Sequence, residues 1–215
     1  MQHPVPTLIL RLVHVANLEV LLRRGAVHAS NHVPRDGLGY RAIHDPDVQG
    51  KRQMRRVPCG PGGTIRDYVS FYFGPRSPML LRLQNAEVPG YAQGQEPPVY
   101  LVSDAFTVAR AGGKFVFTDG HSLSANTRWF DHLGRLDEVD WEAVNSRYWA
   151  STPQDPDRQR RKQAEFLVHR ALPWELVARI VVLSEQTAKK VESILADHPG
   201  AHQPDVGVRR EWYYP

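Results

Sequence analysis

The sequence predicts an α+β fold with a split, largely antiparallel or mixed sheet and peripheral helices. Short β-branched and aromatic runs are interspersed with short helix signals, without the regular strand–helix–strand rhythm of a parallel α/β protein. No G-x-G-x-x-G follows a predicted strand, which argues against a doubly wound parallel sheet. The 215 residues, 41% hydrophobic and 23% charged, suit one domain spanning 1–215. A chain of this size buries about 70% of its unfolded surface and needs no staples.

Leu8 to Val13 is apolar apart from Arg11 and reads as the first strand. The opening MQHPVPTLILRLV has no basic leader and no small-residue cleavage site, so it is not read as a signal peptide. Asn17 is placed to cap a helix over 18–24, with Leu18, Leu21 and Leu22 on one face and Gly25 closing it. Residues 28–63 are rich in Pro, Gly, His and Arg and predict a long irregular segment, of the kind usually functional or disordered. Residues 67–73 (DYVSFYF) read as a strand and 84–98 as a connection. Another strand follows at 99–103; Asp104 then caps a short helix that ends at Gly112-Gly113, and FVFT (115–118) is a further strand. The polar stretch 120–162 holds helical pieces such as 140–144. Residues 164–168 and 180–183 are strands, and Ser184 caps a helix whose Ala188, Val191 and Leu195 share a face. Residues 206–213 predict a closing strand.

No apolar run approaches the roughly 18 residues of a membrane span. The single Cys59 excludes an internal disulfide and any paired-cysteine zinc site, and fits a reducing cytoplasm. Ten histidines suggest metal, but their spacing does not; His28 and His32 are four apart with no helical pattern around them, and no metal is expected. The net charge is +4 and most basic residues are Arg, which pairs bidentately with phosphate and stacks on bases. An anionic partner such as nucleic acid or a phosphorylated cofactor is therefore admitted, though not required. The turn cluster 58–64 lacks the Gly-Lys-Ser/Thr of a phosphate-binding P-loop.

Among candidate functional residues, Glu165 opens an apolar strand directly after the basic run 158–162. It is either an outward-facing residue or a strand-mounted carboxylate facing a cleft. The run Lys51–Arg56 is either a solvated charge cluster or a clamp for phosphate or nucleic acid. His121 sits at a strand end, where both turn and functional histidines occur. Tyr72, Trp129, Tyr148 and Trp149 are able to stack bases, or to fill a core as large aromatics usually do.

Taken together, six segments resemble the DarT family of bacterial DNA ADP-ribosyltransferase toxins. They are RLVHVANLE (11–19), QGKRQMRRVPCGPGGTIRDYVSFYFGPRSPML (49–80), FVFTDGHS (115–122), DWEAV (140–144), RRKQAEFLV (160–168) and EWYY (211–214). The resemblance implies an ADP-ribosyltransferase fold with NAD+ in a central cleft and transfer of ADP-ribose to thymine in single-stranded DNA. It implies Glu165 and Arg52 as catalytic residues. It implies NAD+ contacts at Arg11, Val13, His14, Asn17, Tyr72 and Met79. Arg76 and His121 fall near the target base, and Arg158, Arg160 and Arg161 become candidates for reading the DNA. It further implies an antitoxin partner (DarG-like) whose macrodomain removes the modification. Arg11 and Val13 stand where some relatives have His and Thr, and Arg66 where relatives often have His. A different acceptor (guanine, RNA or protein), or a binder of single-stranded nucleic acid that has lost transfer, are the alternative readings.

Overall fold

The computed structural model describes residues 2–215. In chain order its strands are β1 (Leu8–His14), β2 (Ala26–His28), β3 (Tyr68–Tyr72), β4 (Pro98–Asp104) and β5 (Phe115–Thr118). They continue as β6 (Trp129–Phe130), β7 (Glu165–His169), β8 (Ala171–Pro173), β9 (Arg179–Val182) and β10 (Asp205–Val208). The helices are α1 (Leu18–Arg24), α2 (Pro46–Met54), α3 (Pro78–Gln84), α4 (Ala105–Arg110), α5 (Trp141–Asn145), α6 (Arg158–Lys162) and α7 (Glu185–Ala196).

Eight strands form one mixed sheet in the order β10-β9-β4-β1-β3-β7-β5-β6, and β2 pairs with β8 in a small second sheet. Every pairing is antiparallel except β9 with β10, which α7 connects as a crossover. The ladder between β1 and β4 runs over the whole of β1, whereas β1 meets β3 at one register pair, Leu10 with Tyr72. The sheet is therefore split at its centre, and the two halves diverge on either side of that pair.

Alternation along β1 feeds two apolar clusters. Ile9 and Val13 join the larger one with Phe71, Phe166 and Trp174. Leu10 and Leu12 face a second one with Leu80, Tyr100 and Tyr213. The expected face of α7 is formed as read: Ala188, Val191 and Leu195 are all buried. Likewise Asp104 caps α4 by accepting from Thr107 N, and Asp140 caps α5 by accepting from Ala143 N.

Several elements differ from the sequence reading, among them the short strands β2, β6 and β8, which it does not mark. Residues 46–54, expected to be irregular, form α2, capped by Asp45 with Pro46 at its first position. Its single buried residue is Arg52, so it has no apolar stripe to betray it. The segment before the 84–98 connection forms α3, with Ser77 as cap and Pro78 at its start. The closing strand is shorter than expected: β10 pairs only as far as Val208, opposite the last residue of β9. A 3₁₀ turn over 210–212 then folds Tyr213 back beneath the sheet, its hydroxyl 3.1 Å from the carbonyl oxygens of Pro98 and Val181.

Candidate active site

A cleft of about 440 Å³ opens where the sheet splits, within the usual size range for small-molecule sites. Arg11 of β1, Ser70 and Tyr72 of β3, Glu165 of β7 and Arg52 of α2 line it, with residues 43–45 along one side. The Arg11 guanidinium spans the split and donates to Ser70 O at 2.9 Å.

Glu165 lies on the cleft wall yet is only 2% exposed. Its backbone pairs with Tyr72 across β3 and β7, and its N–H donates to Thr118 Oγ1 at 3.0 Å. One carboxylate oxygen accepts from Ser122 N at 3.0 Å and from Ser122 Oγ at 2.5 Å. The other accepts from Arg52 Nη2 at 2.8 Å. Arg52 also donates to the hydroxyls of Ser70 and Ser122. Burial alone would push the Glu165 carboxyl up; the charges of Arg52 and His121 and these hydrogen bonds outweigh it and hold the group below the usual carboxylate range. The carboxylate is thus ionised, fixed in direction and shielded from water. Burial pushes the Tyr72 phenol well above its ordinary value, the Glu165 charge adding to it, so Tyr72 faces the cleft as a protonated donor. Burial likewise lowers His121, despite the opposing charge of Glu165.

Local structure explains these positions. The turn after β5 brings Ser122 over Glu165, with Thr118 Oγ1 donating to Gly120 O at 2.7 Å. A Cβ at Gly120 would meet the Arg160 side chain and force it to shift. Arg52 is delivered by the last turn of α2, the buried point of an otherwise polar helix.

Of the residues singled out from sequence, Arg11, Arg52, Tyr72, Met79, His121 and Glu165 converge on the cleft. Val13, His14 and Asn17 lie off its wall, and the structure gives each another task. The Val13 side chain is wholly buried in the larger apolar cluster. The His14 ring accepts from Ala16 N at 3.1 Å and meets Gln93 Oε1 at 3.0 Å, capping a 3₁₀ turn. Asn17 makes no side-chain cap. Its amide instead clasps the backbone of Arg41, donating to the carbonyl at 2.9 Å and accepting from the N–H at 2.7 Å, so it tethers the segment ahead of α2.

Arg76 stands outside the cleft wall with a positive φ of 53°. Two tyrosines hold it there: Tyr100 Oη accepts from its N–H at 3.2 Å, and Tyr214 Oη donates to its carbonyl at 2.6 Å. Arg160 is committed to Asp119 at 2.8 Å and Asp157 at 2.7 Å, and Arg161 to Asp140 and Asp155. Arg158 reaches Ser146 Oγ at 3.3 Å. Cations already paired with carboxylates have little charge left for a phosphate backbone. Arg160→Ala is accordingly expected to leave the salt slope of DNA binding unchanged, and to cost about 2 kcal/mol of stability by loosening the Asp119–Ser122 turn. Salt-dependent anisotropy and thermal unfolding check the two halves of that expectation.

Sequence reading missed Ser70 and His44 as cleft residues, and Ser122 as the buried residue that holds Glu165. Ser122 ends the segment FVFTDGHS and is one position past the histidine that drew attention. His44 directly precedes the Asp-Pro pair that starts α2, the available signal for that helix. Among the described residues no three His, Cys, Asp or Glu side chains are grouped to hold a metal ion. No helix among them is long and apolar enough to cross a membrane.

A family profile described as "ssDNA thymidine ADP-ribosyltransferase, DarT" matches residues 10–214. A DNA ADP-ribosyl transferase from Thermus sp. (strain 2.9) is 42% identical over 212 residues, covering 99% of this chain and 98% of its own. The solved structure of Thermus sp. 2.9 DarT with ADP-ribosylated ssDNA superposes with a TM-score of 0.93 at 41% identity, covering 100% of this chain and 99% of that one. The same protein with NAD+ gives a TM-score of 0.89 at 41% identity, covering 99% and 100%. A more distant relative from Thermosipho africanus, a fusion of a DNA ADP-ribosyl transferase with a DNA ADP-ribosyl glycohydrolase, is 22% identical over 86% of this chain and 44% of its own length.

Proposed function

The chain belongs to the DarT family, and from that premise we propose that it transfers ADP-ribose from NAD+ to thymine in single-stranded DNA, releasing nicotinamide. The observation that carries the reading is the Glu165 carboxylate, ionised and clamped by Ser122 and Arg52 on the wall of a central cleft.

As the bond between the anomeric carbon and the pyridine nitrogen breaks, its electron pair leaves with nicotinamide and positive charge grows on the ribose. A fixed carboxylate in a water-poor site stabilises that charge without having to reorganise. Arg52 keeps Glu165 ionised and correctly aimed. The acceptor nitrogen of thymine lies between two carbonyls and loses its proton to solvent as it bonds to the anomeric carbon. Guanidinium stays protonated and is a poor base. Arg52 therefore serves by its charge, steadying both the carboxylate and the thymine anion. That nitrogen is paired in duplex DNA, so a single strand or a flipped base is the natural substrate.

A toxin of this kind works against a partner that reverses the modification. The fusion relative, which carries transferase and glycohydrolase in one chain, supports an antitoxin of the glycohydrolase class. NAD+ and DNA as substrates support action in the cytoplasm.

The test is incubation with NAD+ and defined single-stranded oligonucleotides, followed by mass spectrometry. Oligonucleotides containing thymine gain the mass of one ADP-ribose, and thymine-free ones do not. A gain on thymine-free DNA, or on RNA alone, overturns the assignment.

A further inference from the structure

The chain leaves the sheet at the end of β5, and one hydroxyl marks the point. Register pairs between β5 and β7 run from Phe115–Val168 to Phe117–Phe166 and stop one residue short of Glu165. On its other side Thr118 still pairs with Trp129 of β6. The Glu165 N–H therefore lies past the end of the β5–β7 ladder, and Thr118 Oγ1 accepts it at 3.0 Å. A hydroxyl has one proton of its own to give. Here Gly120 O receives it at 2.7 Å, the nearer of two carbonyl oxygens in reach, the other being Glu165 O at 3.4 Å. Thr118 and Ser122 are wholly buried, so water does not replace a bond that is lost there.

Just beyond Gly120 the chain returns over the carboxylate, to which Ser122 donates from both its N–H and its hydroxyl. The far side of this turn is fixed separately. His121 N–H donates to Arg160 O at 2.9 Å, and Thr127 Oγ1 donates to His121 O at 2.7 Å. The near side is tied to β7 by Thr118. One side chain thus holds both the backbone of Glu165 and the turn that grips its carboxylate. We propose that Thr118 is a positioning residue for transfer, its hydroxyl setting how the Ser122 turn sits over Glu165 and so where the carboxylate points. Thr118 lies behind the cleft wall and acts through Ser122 and Glu165. The proposal rests on the reading that Glu165 stabilises charge on the ribose of NAD+.

Threonine suits this post because branching at Cβ stiffens χ1, which keeps the hydroxyl between its two partners. Thr118→Val retains the shape and the branch and removes only the hydroxyl. The Glu165 N–H and the Gly120 carbonyl then lose their common partner, and the turn is free to drift. A shift of about 1 Å at a stabilising group costs up to about a hundredfold in rate.

Single-turnover transfer to a thymine-containing single strand tests this, beside titration with carba-NAD+, whose sugar lacks the ring oxygen needed for bond breaking. Thr118→Val is expected to slow transfer at least about tenfold while the carba-NAD+ dissociation constant stays within about twofold of wild type. Thr118→Ser restores the hydroxyl and is expected to transfer within about threefold of wild type. Val116→Ala removes buried apolar volume from the same strand and controls for lost stability; below its unfolding temperature it is expected to transfer at the wild-type rate. The double variant Thr118→Val/Ser122→Ala should be no more than about threefold slower than the slower single variant, because both substitutions act along one path. Three results would each overturn the proposal: multiplying losses in the double variant, a Thr118→Val rate within about threefold of wild type, or a Thr118→Ser rate no better than that of Thr118→Val. Should Thr118→Val fail to fold, NMR of the Thr118 hydroxyl proton in wild-type protein takes its place. Held between Glu165 and Gly120 that proton exchanges slowly with water, and a freely exchanging one is equally fatal. Absence of transfer by wild-type protein would fell the functional reading itself, a result distinct from an active enzyme that Thr118→Val leaves unimpaired.

Discussion

Glu165→Gln is expected to slow transfer to a thymine-containing single strand by three orders of magnitude or more, about what a preorganised electrostatic group contributes in a desolvated site. The amide keeps the size of the carboxyl and can still accept from Ser122, so the cleft keeps its shape. What disappears is the negative charge that answers the charge developing on the ribose. Carba-NAD+ should still bind with a dissociation constant within a few-fold of wild type, because the carboxylate acts on the transition state more than on the ground state. Single-turnover transfer and ligand titration separate the two effects, and full transfer by Glu165→Gln would remove the carboxylate from the mechanism. The substitution also leaves Arg52, its side chain 11% exposed, without a counter-charge. Breaking a buried pair from one side costs roughly 3–5 kcal/mol. Thermal unfolding should therefore show a clear loss, partly regained in the double variant Glu165→Gln/Arg52→Gln, which stays inactive.

The direction of the Glu165 shift fixes its pH behaviour. A carboxylate held below its ordinary value stabilises the fold above the unfolded value of about 4.3, and that contribution disappears as pH falls through the lower folded value. At neutral pH it is fully present. An acid limb of the rate profile near pH 6 thus reports a histidine rather than Glu165.

Arg52→Lys is the second large effect, with an expected loss of about two orders of magnitude in transfer although the formal charge is preserved. The fork of Arg52 serves Glu165, Ser70 and Ser122 at once. An ammonium is a single point with a shorter reach, and it cannot hold all three in the same plane. The carboxylate would then sample other directions, so kcat should fall more than the NAD+ KM rises. A variant with wild-type kcat would show that charge alone suffices and that the fork is dispensable.

Much of the scaffold was legible in one dimension. β1, β5, β7 and the apolar face of α7 announce themselves by β-branched or aromatic runs and by spaced aliphatics, because burial on one face leaves a periodic record. The resemblance carried by the six segments pointed to Glu165 and Arg52 together. Yet the residues alone left each with two readings, since a carboxylate at a strand start or an arginine in a basic run looks the same whether solvated or buried. α2 went unread for the same reason: its buried face is one charged side chain, and only the Asp45–Pro46 start signals it. Asn17 carried a correct signal for a helix start, but its amide is spent on a segment 24 residues away. Arg160 and Arg161 looked like free charge because their acidic partners lie at scattered positions, Asp119 and Asp140 among them.

The sequence by itself determined the fold class and most strands, and its family resemblance singled out the two residues proposed as central to the chemistry. Tertiary structure decided which cations are neutralised and which stand free, that the sheet divides between β1 and β3, and that Glu165 faces inward with Arg52 against it. The reason is physical: burial periodicity is local and survives projection onto a chain, whereas charge pairing depends on distances of a few ångströms between residues that in this pair are 113 positions apart.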